Sequence, residues 1–218
     1  MRSNCFAMGL AIAAGVALGA GVIRAQAPNM AHTHIGHVMT SFGDTPDKAG
    51  LLPTTAAEAA TAAQHAALGA KASTNLMAMQ LHAGHVIQCI DPTIVAMGPC
   101  KGYGVKKGAT AALNHVGLAA KADTASAGVK THTTHVSASL ENTIKRADEV
   151  VATAQKIRAA TTAEQAAPLA AELQKQTEQL TAGVDANGDG TIGWQAGEGG
   201  IATATTHMQL MMKGEGLQ

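Results

Sequence analysis

Aromatic residues are almost missing from this chain. They make up 2% of its 218 residues, and beyond residue 27 only Phe42, Tyr103 and Trp194 remain. That scarcity excludes an aromatic-rich β-sandwich and a base-stacking nucleic-acid surface. An excess of one charge is missing too, since 15 Lys and Arg balance 15 Asp and Glu. No electrostatic platform for DNA or RNA is expected from such a balance. No stretch alternates apolar and polar residues well enough to be a strand. No Cys-x-x-Cys-His occurs among the three cysteines, which excludes covalent haem attachment. What is abundant is alanine, at 47 residues. Alanine is the strongest helix former, but its side chain buries little area. The composition therefore predicts an all-α protein with a thin core.

The first 27 residues read as an export signal. Arg2 is followed by an apolar Gly/Ala-rich run from Phe6 to Ile23, and Ala25-Gln26-Ala27 offers a small-residue cleavage pattern. The alternative is an uncleaved anchor, since the run is near the lower length for a membrane span. No second apolar run follows, so no membrane contact is expected after cleavage. Loss of Arg2 and Arg24 would take the basic count from 15 to 13 against 15 acids. The expected location is periplasmic or secreted. Cys89 and Cys100 flank a Pro/Gly-containing loop. They are a disulfide, two free thiols or a soft metal ligand set.

Helices are expected at about 55–72, 74–90, 105–121, 125–159, 163–182 and 201–213. Thr55 with Glu58 and Thr161 with Glu164 read as capping boxes opening the first and fifth. Residues 28–53 carry turn formers and read as a loop with at most a short helix. The organisation is then a signal peptide at 1–27, a histidine-containing segment at 28–53, a bundle at 54–160, and a helix–loop–helix segment at 161–218.

A 50-residue repeat lies inside the bundle. Thr61–Ile90 aligns without gaps on Ala111–Leu140, with ten identities. His65, His82 and His85 fall on His115, His132 and His135. The terminal motif H-x-x-H-V also stands upstream as His34-Ile-Gly-His37-Val38. Residues i and i+3 share a helix face, so each pair presents two imidazoles together. A helical hairpin can bring the single His65 or His115 near the pair that follows it. Neutral imidazole is the commonest transition-metal ligand, and three of them leave a fourth position open. His34, His37, His65, His82, His85, His115, His132 and His135 are therefore candidate ligands for copper, zinc or a similar ion. Non-covalent haem is the alternative cofactor, because His can supply both axial ligands and small neighbours leave room. A metalloenzyme stays open through the free coordination position, although no carboxylate or lysine recurs with the pairs as acid or base. A cofactor-free structural bundle is the remaining reading.

Asp185-Ala-Asn187-Gly-Asp189-Gly-Thr191-Ile192 resembles the start of an EF-hand calcium loop. The resemblance implies oxygen ligands from Asp185, Asn187 and Asp189 and the backbone carbonyl of Thr191. It covers residues 185–196 and departs from the pattern at its last position, where Ala196 replaces the bidentate Glu. Glu198 is the candidate substitute. The sequence thus predicts an exported metal-binding protein: a bundle built from a duplicated helical hairpin, closed by an EF-hand-like unit holding a weak structural calcium.

Overall fold

The computed structural model describes Met1 and residues 29–217. The export signal expected over 1–27 lies outside them but for Met1. Among the described residues the chain forms seven α-helices and no strand. They are α1 (Met30–Met39), α2 (Leu51–Lys71), α3 (Leu76–Ile90), α4 (Val105–Lys121), α5 (Ala127–Ala159), α6 (Ala163–Ala182) and α7 (Ile201–Gly214). None is long and apolar enough to cross a membrane.

The helices fall into two kinds. Three begin with a side-chain cap: Asn29 accepts from the His32 N–H, Asn75 from Ala78 and Ser126 from Val129. Each of these, α1, α3 and α5, carries one H-x-x-H-V. Three others, α2, α4 and α7, follow a glycine N-cap with no side-chain bond, at Gly50, Gly104 and Gly200. All three have a lysine in the last turn, where it complements the helix dipole. The remaining helix, α6, opens at Thr162, whose hydroxyl accepts from the Gln165 N–H.

Helix α5 is the axis of the bundle. At 33 residues it spans about 50 Å. It packs against α3, α4, α6 and α7, while α2 packs against α3, α4 and α6, and α1 against α4. Small side chains let these axes approach closely. A Cβ on Gly108 of α4 would lie 2.2 Å from Thr55 Oγ1 of α2, so that crossing requires glycine. One apolar cluster runs from Ile35 and Val38 through Val86, Val136 and Leu140 to Leu180 and Met208. The thin alanine core is compensated by close packing of many small contacts.

Three local expectations change. Residues 30–39 form a full helix, because Asn29 caps it and Ala31, Ile35 and Val38 bury one face. Helix α2 starts at Leu51, so Thr55 is no cap; its hydroxyl donates to the Leu51 carbonyl inside the helix. Glu58 is also turned to another use. Its carboxylate is buried and accepts the backbone N–H groups of Lys101, Tyr103 and Gly104. That anchors the 91–104 loop beside the Cys89–Cys100 disulfide. The second expected capping box does not form: Thr162 caps α6 in place of Thr161, and Gln165 in place of Glu164 accepts the Thr161 N–H.

Candidate metal centres

Each H-x-x-H-V pair sits at the flank of a buried face. The valine is fully buried in all three copies (Val38, Val86, Val136), as is the residue three before the first histidine (Ala31, Met79, Val129). The two imidazoles are then half-buried, one turn apart, at a helix–helix seam. A third histidine meets each pair from a neighbouring helix, and the ligand atoms of each trio lie within 4.8 Å of one another.

The trios are not all the expected ones. On α2 and α3, His65 meets His82 and His85, with Nδ1–Nδ1 distances of 3.0 and 3.1 Å. This is the hairpin arrangement expected from the repeat. His115 on α4 does not join the pair on α5. It meets His34 and His37 of α1 at 3.0 and 3.3 Å. The pair on α5, His132 and His135, meets His207 of α7 at 3.2 and 3.3 Å. The physical reason is that α4 also packs against α1, and α5 against α7. The seams there lie outside the α4–α5 hairpin. His34 and His37 thus complete a centre of their own rather than extending another.

His207 is the ligand candidate that the H-x-x-H-V repeat does not reveal. A second motif would have found it. Ala62, His65, Leu68 and Lys71 recur as Ala112, His115, Leu118 and Lys121, and again as Ala204, His207, Leu210 and Lys213. This A-x2-H-x2-L-x2-K pattern marks all three single-histidine helices. Its third copy is masked by the absence of a following H-x-x-H-V. The residues around the histidine agree as well. Those at −3, +1 and +4 are buried in every copy: Ala62, Ala66 and Gly69; Ala112, Val116 and Ala119; Ala204, Met208 and Met211.

Nine of the ten histidines are used in this way. The tenth, His32, faces Glu215 with its Nε2 2.9 Å from the carboxylate. Ser126 donates to the other carboxylate oxygen. That contact ties the start of α1 to the chain after α7.

The electrostatics suit ligation. Burial, and then the neighbouring imidazoles of the same trio, hold His34, His65, His82, His115, His135 and His207 below the ordinary imidazole value. These rings are neutral at pH 7 and present a lone pair. Among the described residues no carboxylate or thiol joins any trio. Glu58 lies close to Cys89 and Cys100, but the sulfurs are bonded to each other. The disulfide removes the free-thiol and metal-ligand readings of that pair.

The surroundings of the three centres differ. Phe42 packs edge-on against both His37 and His115, with ring centroids 5.4 and 5.0 Å apart. Trp194 stacks on His135 at 4.2 Å and 24°. Among the described residues no Phe, Tyr or Trp packs on the His65 centre. Trp194 belongs to the α6–α7 loop, which α5 holds in place. Buried Arg146 donates to the carbonyls of Gly197, Glu198 and Gly199, and Asn142 bonds Gln195 and Gly197.

The rest of that loop carries the calcium candidates. Asp185 accepts the N–H groups of Gly188, Asp189 and Gly190. Asn187 and Thr191 both bond Asp189. Glu198 is buried and accepts the Gly193 N–H. The structure does not gather Asp185, Asp189 and Glu198 into a common group as it does the histidines.

Comparison with protein-family models, with curated proteins and with solved structures finds no match to this chain.

Proposed function

We propose that this is an exported protein that binds three transition-metal ions per chain, one at each histidine trio. The observation that carries the reading is the convergence of nine histidines into three groups, in each of which the single histidine's Nδ1 lies 3.0–3.3 Å from both imidazoles of its pair and all three ligand atoms lie within 4.8 Å of one another. Three imidazoles around one tetrahedral ion at about 2.0–2.1 Å place their nitrogens about 3.3–3.4 Å apart. The residues present therefore fit copper, zinc or a similar ion with small adjustments. A bound ion would take a fourth ligand from solvent or from a partner. Haem is less well supported. Its two axial nitrogens stand on opposite faces of the macrocycle, about twice a metal–nitrogen bond apart, whereas each single histidine here lies only 3.0–3.3 Å from both imidazoles of its pair. The disulfide supports an oxidising compartment, in keeping with the apolar run before residue 28.

Metal titration of the full chain, followed by elemental analysis, tests the reading. Three equivalents of zinc or copper are expected, with none retained by the triple variant His65→Ala, His115→Ala, His207→Ala. A parent chain that retains no transition ion overturns the proposal.

The 185–198 loop is the second part of the reading. Its support is the turn in which Asp185 collects three successive N–H groups, the backbone arrangement that folds an EF-hand-like loop around its first acid. A structural calcium there should raise the melting temperature of the parent and leave Asp185→Ala unmoved. Equal melting curves with and without calcium would remove it.

A further inference from the structure

Four leucines are exposed among the described residues: Leu68, Leu81, Leu118 and Leu210. Three occupy one position, three residues after the single histidine of each centre, with exposures of 48%, 46% and 45%. The fourth, Leu81, immediately precedes His82. Leucine is a good helix former and appears on exposed faces for that reason alone. That preference does not explain why α2, α4 and α7 each expose a single leucine, always at the same offset from a candidate ligand. Residues i and i+3 share a helix face, and long helical side chains lean back toward the N-terminus. Each leucine therefore stands one turn beyond the histidine that precedes it, on that histidine's exposed flank.

We propose that Leu68, Leu118 and Leu210 are specificity-determining residues of the three centres, selecting Cu(I) over hydrated divalent ions. The inference rests on the three-ion reading above and deepens it. Imidazole donors alone suit zinc and copper alike. A divalent ion held by three neutral imidazoles completes its shell with water or hydroxide, which needs hydrogen-bonding surroundings. An apolar side chain on the flank of that position offers a bound water no hydrogen-bond partner, which raises the cost of holding it. Cu(I) carries one charge and is satisfied by few ligands, so the leucine costs it little. The absence of any carboxylate from the trios acts in the same direction, because an anionic ligand would favour the higher charge.

The test is anaerobic competition on the full chain. Cu(I) is titrated against bicinchoninate and Zn(II) against a chromophoric chelator, for the parent and for L68N/L118N/L210N. The variant should still bind three ions, with its Cu(I) preference over Zn(II) reduced about tenfold, the scale on which outer-shell changes act. The control L68I/L118I/L210I, which keeps an apolar group in place without adding a thioether ligand, should retain the parent ratio. An unchanged ratio in the Asn variant, with both ions still bound, overturns this inference alone. A parent that binds neither ion overturns the three-ion reading and this inference with it. If the triple Asn variant loses helical content, L210N by itself decides the matter, with Trp194 fluorescence reading the His207 centre. An unshifted Cu(I)/Zn(II) ratio there overturns the proposal.

Discussion

The His65 centre and the His207 centre use the same three side chains on the same kinds of helix, yet they are assembled differently. His65 meets His82 and His85 across sequence separations of 17 and 20. One helical hairpin suffices. His207 meets His132 and His135 across 75 and 72 residues. That centre exists only when α7 has docked on α5, and the loop before α7 is held to α5 by Arg146 and Asn142. The first centre is a product of local chain reversal with a small loop-closure cost. The second depends on the tertiary fold. Identical ligands should therefore show different sensitivity to damage elsewhere in the bundle.

The sharpest way to break the comparison is to remove one ligand from each centre. His207→Ala should lower the bound metal from three equivalents to two, with affinity at its centre falling by more than the ~10–100-fold that loss of an outer-shell partner causes. His65→Ala should do the same at its own centre. The two are told apart by Trp194, the single tryptophan, stacked on His135. Quenching of its fluorescence by copper should disappear in His207→Ala and persist in His65→Ala. Equal quenching in both variants would show that the centres are not independent.

Next in size is Arg146→Ala. The guanidinium is buried, and its loss leaves three loop carbonyls without their charged donor. A loss of about 3–4 kcal/mol in unfolding free energy is expected. Metal binding at the His207 centre should weaken while the His65 centre keeps its affinity. Chemical denaturation and site-resolved titration check both halves. Replacing Cys89 and Cys100 by Ser reverses the pattern. It should cost about 3 kcal/mol from the released loop and loosen α3 one turn beyond His85, with little effect at His207.

The smallest effect should not distinguish the two centres at all. Both contain imidazoles held below their ordinary value by burial: His65 and His82 in one, His135 and His207 in the other. In the metal-free protein the unfolded chain takes up protons first as pH falls below about 6.5. Stability is therefore fully present above that pH, is lost on acidification, and levels off once the folded imidazoles are themselves protonated. Urea unfolding between pH 7.5 and 5 should show this slope. A flat profile would contradict the neutral, partly buried state of these rings.

Several features of the centres were legible before any coordinates. Six of the seven helices lie within a few residues of their expected limits, because alanine runs, Asp91-Pro92 and Gly/Asp clusters punctuate the chain clearly. The three H-x-x-H-V pairs each present two imidazoles to one trio that could hold a metal ion, because i, i+3 spacing on a helix has one geometric meaning. Helix α1 was hidden by its nearby turn formers, Gly43-Asp44 and Pro46, which in fact follow it. Thr55 and Glu58 imitated a capping box four residues inside a helix that begins at Leu51. Local hydrogen-bonding preference cannot tell a cap from a helix interior when the preceding residues are also helical.

The sequence by itself determined six of the seven helices and the fact that histidines stand on them in i, i+3 pairs and as singles. Propensity and periodicity act over a few turns, and they need nothing from the rest of the chain. The partner of each pair was decided only by the tertiary structure. His115 faces two candidate pairs, on α1 and α5, and the repeat points to the wrong one. The packing of α4 against α1 and of α7 against α5 settles the matter, because burying the apolar stripes of all seven helices in one bundle sets which flanks meet. His207 joins its centre for that reason, at the far end of the chain from the repeat that resembles it.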